Sequence, residues 1–149
     1  MGQSPKWDAT WFEGHWQLDR EIREDRGGFY RLEGRATLSR AEHVTVPEDI
    51  TVLDYHEVGR LIRAGASLQA EQRYRWYVSP GGLEIRYADD RPFVQFGLSG
   101  DPATDEHLCG ADLYRGTFQR TGHEGWRLDW RVDGPSKAYL SRSRYSRSR

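Results

Sequence analysis

Apolar residues in this chain recur at every second position, in short runs separated by turn residues. That period limits the fold more than any other property of the sequence. In "WFEGHWQLDREI", Trp11 to Ile22, one register holds Phe12, Gly14, Trp16, Leu18, Arg20 and Ile22, and the other holds Glu13, His15, Gln17, Asp19 and Glu21. This is the pattern of a strand with one face on a core and one in water. "EDRGG" (Glu24 to Gly28) marks a turn, and "FYRLEGRATLSR" alternates again as the returning strand of a hairpin. "DITVLDYHEVGRLI" follows, then "SLQAEQRYRWYVS" and "GLEIRYA", divided by the strong turn "SPGG". After "DDRP" come the strand "FVQFGLS", a loop "GDPATDE" and the stretch "EHLCGADLYRG", read as one strand. "GWRLDWRVDGP" and "KAYLSRSRY" complete the set, split by Gly134-Pro135. Roughly seven to ten short strands with no convincing amphipathic helix point to an all-β antiparallel fold, and consecutive hairpins favour a single up-and-down β-barrel with a central cavity.

Length and composition set the outer limits. A chain of 149 residues is the size of one ordinary domain, so residues 1–149 are expected to form one barrel, with about 1–10 and 146–149 flexible. Lys and Arg number 22 against 23 Asp and Glu, a formal net charge of -1, so no overall field favours nucleic acid or an anionic membrane. The final "SRSRYSRSR" is basic but has no aromatic platform to stack bases. A single cysteine excludes an internal disulfide and a cysteine-rich zinc site. No apolar run is long enough for a signal peptide or a membrane span. A cytoplasmic protein is expected, as a monomer or homodimer.

Charged residues in the apolar registers give a sharper test. Arg20 shares a face with Trp16, Leu18 and Ile22, and Glu57 shares one with Leu53, Tyr55, Gly59 and Leu61. In "EHLCGADLYRG" one register holds Leu108, Gly110, Asp112 and Tyr114, and the other sends His107 and Cys109 to the opposite face with Arg115. A buried carboxylate without a partner costs several kcal/mol. Inward Glu57 and Asp112 therefore either meet partners such as Arg20 or a tyrosine hydroxyl, in a network that fixes register, or line a wet cavity. Barrels of about eight or more strands enclose room for one small molecule. Tyr30, Tyr55, Tyr74, Trp76, Tyr87, Tyr114 and Tyr139 would supply aromatic walls with hydroxyl handles.

The other motifs are weaker. His107-x-Cys109 places two soft ligands on one strand face, but the remaining histidines form no metal-binding spacing. No metal site is expected. "DGPSK" would present Lys137 and, two residues on, Tyr139 at a barrel mouth, and Arg91 in "DDRPF" could clamp an anion. No cofactor has a signature here, although haem held by one histidine leaves almost none.

"FEGHWQLDREI", "YHEVGRL", "RYRWYV", "YADDRPF", "HLCGADLYRGTF" and "WRLDWRVDGPSKAYLSRSRY" resemble, in that order, segments of the uncharacterised domain-of-unknown-function family six-three-one-four. The resemblance runs from about Phe12 to Arg147. It implies a calycin-like, lipocalin-type barrel and no established activity. Its motif positions include Arg20, Tyr55, Glu57, Arg91, His107, Cys109, Asp112, Tyr114, Lys137 and Tyr145, with Ala138 where the family pattern has an acidic or amide residue.

Two functions follow as expectations. The first is a cofactor-independent acid–base enzyme of the cyclase, isomerase or lyase type, acting on a small organic substrate in the cavity. Glu57 or Asp112 would be the general base, and Tyr114 or Tyr55 the acid or oxyanion donor. Arg20 and Arg91 would hold an anionic group, and Tyr55, Tyr74, Trp76, His107, Lys137 and Tyr139 would complete the ligand contacts. The second is a non-catalytic carrier or sensor of an apolar ligand or haem, with His107 as the residue to watch.

Overall fold

In the computed structural model, residues 7–148 are described. One helical turn, α1 (Ala9–Phe12), precedes ten strands: β1 (Gly14–Glu24), β2 (Phe29–Arg40), β3 (Thr51–Arg63), β4 (Ala66–Ser79), β5 (Gly82–Tyr87), β6 (Pro92–Gly97), β7 (Ala103–Cys109), β8 (Asp112–Arg120), β9 (Gly125–Asp133) and β10 (Ala138–Arg147). They form one antiparallel sheet in the order β6-β5-β4-β3-β2-β1-β10-β9-β8-β7. The first strand pairs with both the second and the last, so the meander curls on itself and its two edges, β6 and β7, face each other. At that seam the Gln95 backbone N–H donates to the Asp105 carboxylate at 2.6 Å, and the rings of Phe96 and Phe118 meet at 5.5 Å. The result is the up-and-down barrel expected from the alternation, closed all round except for a seam bridged by side chains. A carboxylate on an exposed edge also guards it against pairing with another chain. No helix among the described residues is long and apolar enough to cross a membrane.

The β2–β3 pairing is unusually close at one point. Gly34 faces Gly59 across the ladder, and a Cβ on Gly59 would lie 2.6 Å from the Glu33 carbonyl oxygen, while one on Gly34 would overlap the Val58 carbonyl. Glycine on both strands is what lets the backbones approach and the sheet coil sharply here.

One end of the barrel is filled with aromatic rings. Asp8 caps α1 by accepting from the Trp11 N–H at 2.9 Å. The short helix drives fully buried Phe12 among Trp76, Phe118 and Trp126, at centroid distances of 5.3, 6.0 and 6.1 Å. Trp7 packs on Phe118, and Trp16 donates its indole N–H to the Phe12 carbonyl at 2.8 Å. Large rings bury the most apolar area per residue, so this plug anchors the fold and leaves the opposite end free to stay open.

Two details of the sequence reading change. "EHLCGADLYRG" is two strands, because Gly110, in the left-handed region at φ 61, and Ala111 form a two-residue hairpin turn. Cys109 then faces Asp112, and His107 faces Tyr114. Directly opposed residues point to the same side of a sheet, so His107 and Cys109 share the inner register with Asp112 and Tyr114 instead of opposing it. The segment read as the loop "GDPATDE" also contributes, since β7 begins at Ala103.

The "SRSRY" segment continues the alternation to the end of β10. Arg147 pairs with Trp16 in the ladder, lies over its ring at 3.8 Å, and donates to the Trp11 and Glu13 carbonyls. Residues 7–10 and 146–148, counted with the flexible chain ends in the sequence reading, make ring, ladder and backbone contacts with the barrel, while the expectation for residues 1–6 and 149 lies outside the described residues.

Candidate functional site

Alternation along the strands lifts one polar cluster into the barrel centre, above the aromatic plug. Arg20 comes from β1, Tyr55 and Glu57 from β3, and Ser143 and Tyr145 from β10. Across the inner face of β2, Arg20 pairs with Leu32 and Glu57 with Ala36, with Gly34 between them, and the small Gly34 and Ala36 leave room for the long Arg20 side chain to cross to Glu57. The contact is a fork: Nη1 donates to Oε2 at 2.8 Å and Nη2 to Oε1 at 3.0 Å. Arg20 Nε donates to the Ser143 hydroxyl at 2.6 Å. The Tyr55 hydroxyl donates to Glu57 Oε1 at 2.6 Å. Its proton thus committed, it accepts from the Tyr145 hydroxyl at 2.7 Å.

Both charges are well buried, with side-chain exposures of 15% for Arg20 and 5% for Glu57. Burial alone would push the Arg20 pKa down, but neighbouring Tyr145 and the hydrogen-bonded Glu57 more than offset it, and the value lies well above that of ordinary arginine. Burial also raises Tyr55, reinforced by Tyr145 and Glu57, and raises Tyr145 against the pull of Arg20. Both phenols are therefore protonated donors at neutral pH.

Above this floor lies a cavity of about 350 Å³, within the range of roughly 300–1,000 Å³ usual for small-molecule sites. Its walls are aromatic and aliphatic: Tyr74, Trp76, Tyr87, Phe93, Tyr114, Trp130 and Tyr139, with Ile22, Ile85 and Leu128. Phe93, on the seam strand β6, is the organising ring. It stacks on Trp130 at 5.0 Å and 14°, on Tyr87 at 4.8 Å and 22°, and on Tyr74 at 6.1 Å and 18°. Burial pushes the Tyr139 phenol up to about 12 and raises Tyr74 further. Gln72, Tyr74 and Ser141 also line the space. Their polar side-chain groups make no hydrogen bond among the described residues.

Of the residues expected from the sequence, Arg20, Tyr55, Glu57, Tyr74, Trp76, Tyr114 and Tyr139 line this one cavity. The others lie at its rim or beyond. Asp112 and Lys137 pair at 3.6 Å at the mouth, where Tyr114 and then Asp112 hold the Lys137 pKa above its ordinary value. His107 packs edge-on against Phe93 at 5.2 Å. Arg91 stands outside on the β5–β6 turn, paired with Asp89 at 2.7 Å and 71% exposed. Tyr30 shares the inner register with Ile22, its ladder partner, but is outside the lining and accepts from Arg63 at 2.7 Å. Among the described residues no group of three His, Cys, Asp or Glu side chains is placed to hold a metal ion.

The sequence reading assigned no place in the cavity to Ser141, Ser143 or Gln72, and gave Tyr145, Phe93 and Trp130 only as motif positions of the family resemblance. The signal for three of them was present, because Tyr139, Ser141, Ser143 and Tyr145 keep a strict period of two in "YLSRSRY". That stretch was read as the last strand, but the intervening arginines hid which of its faces is the inner one.

Residues 12–147 match the model of a family of unknown function, DUF6314. No curated protein matches the sequence. Among solved structures the barrel is similar to the S-type phycobiliprotein lyase CPES from Guillardia theta, with a TM-score of 0.67 and 6% identity over 97% of this chain and 99% of that one. A redesigned β-barrel, mFAP1, solved bound to DFHBI, aligns with a TM-score of 0.49 and 12% identity over 95% of this chain and 100% of that one. At these identities the likeness is one of fold.

Proposed function

We propose that this chain, which belongs to the DUF6314 family of unknown function, binds one small, flat, largely apolar organic molecule inside its barrel, as a carrier or sensor. The observation that carries this reading is the aromatic cavity itself. One wall is a set of near-parallel rings on four strands, Tyr74, Tyr87, Phe93 and Trp130, and the unengaged polar groups of the lining, on Gln72, Tyr74 and Ser141, are few. Apolar walls supply affinity and sparse polar groups fix orientation. The plug at one end and the open mouth at the other give a single route of entry.

The acid–base alternative assigns proton transfer to Glu57 or Asp112. Glu57 already accepts two guanidinium N–H groups and a phenol, which occupy three of the roughly four acceptor sites of a carboxylate and hold it in an ion pair with Arg20. Asp112 pairs with Lys137 at the rim, outside the lining. Binding is accordingly the function the geometry supports better.

The test is a fluorescence titration with 1-pyrenemethanol, a flat neutral probe. Saturable one-to-one binding is expected for the wild-type protein, weakened at least tenfold by Ser141→Phe, which places a ring in the cavity. Equal binding by a folded Ser141→Phe protein would remove the cavity as the site.

A further inference from the structure

The cavity holds two charged side chains in its lining, Arg20 and Glu57, and they neutralise each other at hydrogen-bonding distance. No other cation among the described residues lines it. Arg91 is turned outward onto Asp89, and Lys137 stays at the rim against Asp112. The sequence expectation of arginines holding an anionic group therefore has no free arginine to serve it. An anion entering this space would meet a guanidinium whose charge Glu57 already neutralises. It would also give up its hydration in a low-dielectric pocket without gaining an ion pair.

The polar groups that do remain open are neutral. The Ser141 side chain belongs to a residue only 5% exposed, and neither its hydroxyl, the Gln72 amide nor the Tyr74 hydroxyl has a hydrogen-bond partner among the described residues. A buried hydroxyl facing a cavity without a partner is stabilised by a ligand group that bonds to it. Tyr74, Tyr87 and Trp130 lie within 22° of the plane of Phe93, a stack that favours a flat guest, while Tyr114 stands edge-on to it.

Resting on the binding reading above, we infer that the barrel selects an uncharged, planar conjugated molecule carrying a hydroxyl or carbonyl group, and rejects its carboxylate counterpart. Arg20 and Glu57 act together as a specificity device: the guanidinium gives the floor a polar surface, and the carboxylate cancels the charge that would otherwise attract acids.

The experiment compares 1-pyrenemethanol with 1-pyrenecarboxylate at pH 7, two probes with the same ring system and nearly the same shape, on the full chain and on Glu57→Gln. The wild-type protein is expected to bind the alcohol at least tenfold more tightly. In Glu57→Gln the Arg20 charge loses its counterion, and the ratio is expected to move at least tenfold toward the carboxylate. Equal or tighter carboxylate binding by the wild-type protein would overturn the inference and leave the binding reading intact. So would an unchanged ratio in a Glu57→Gln protein that keeps its near-ultraviolet circular dichroism. If that variant fails to fold, the wild-type ratio alone decides. Binding of neither probe would remove the binding reading, and this inference with it.

Discussion

Arg20 on β1 and Glu57 on β3 meet across β2 through two hydrogen bonds, at 2.8 and 3.0 Å, in the middle of the barrel. They are 37 residues apart in sequence, and on the inner face of β2 their ladder partners are Leu32 and Ala36, with Gly34 between the two. The pair fixes the register of three strands and floors the cavity with a surface that is polar but carries no net charge.

Its energetic signature follows from burial. Removing one partner leaves a charge with no counterion, which costs about 3–5 kcal/mol, whereas replacing both with apolar residues is often close to neutral. Arg20→Leu and Glu57→Leu are each expected to lower stability strongly in urea unfolding, and the double variant to recover most of the loss. Additive losses in the double variant would show that each side chain is held by its other contacts and that the pair itself contributes little.

The buried phenols predict a loss of stability in alkali. Tyr55, Tyr74 and Tyr145 are raised by burial, and Tyr139 to about 12. An unfolded tyrosine ionises near pH ~10. Above that pH the unfolded chain releases protons that the folded chain keeps, so stability falls as pH rises. Below it these groups contribute no pH dependence. The fall should begin near pH ~10 and, for Tyr139, run to about 12. Absorbance at a tyrosinate band should then show part of the 8 tyrosines ionising only as the protein unfolds. All of them titrating near pH ~10 while the fold persists would contradict the burial.

Gly116 on β8 supports a cavity wall. A Cβ there would lie 2.7 Å from the Trp130 ring and 3.0 Å from that of Phe96, so Gly116→Ala forces the indole to shift. Overpacking of this kind typically costs about 1–3 kcal/mol. The expected result is a lower melting temperature together with altered affinity for 1-pyrenemethanol. A variant unchanged in both would mean that Trp130 is free to move and is no fixed wall.

How much of this was legible beforehand depended on where the period of two was unbroken. On β1 and β3 it ran for whole strands, so Arg20, Tyr55 and Glu57 could be placed inward, and Arg20 could be named as a possible partner of Glu57. It failed at Gly110, where a two-residue turn brings Cys109 opposite Asp112. A continuous strand would have put these two residues, three positions apart, on opposite faces. On β10 the inner residues are serines and tyrosines between outward arginines, so hydropathy gave no contrast although the alternation was intact. Arg91 was placed by residue type alone, on a turn that does not aim it into the cavity. Asp112 was placed inward by the alternation, but it is the first residue of β8 and pairs with Lys137 at the mouth.

The account rests on the cavity being a binding site, and a crystal structure of the protein soaked with 1-pyrenemethanol tests this most directly. The predicted result is density for the probe inside the barrel, against Phe93 and Trp130, with its hydroxyl within hydrogen-bonding distance of Ser141, Gln72 or Tyr74. An empty cavity beside a probe bound on the outer surface would contradict it.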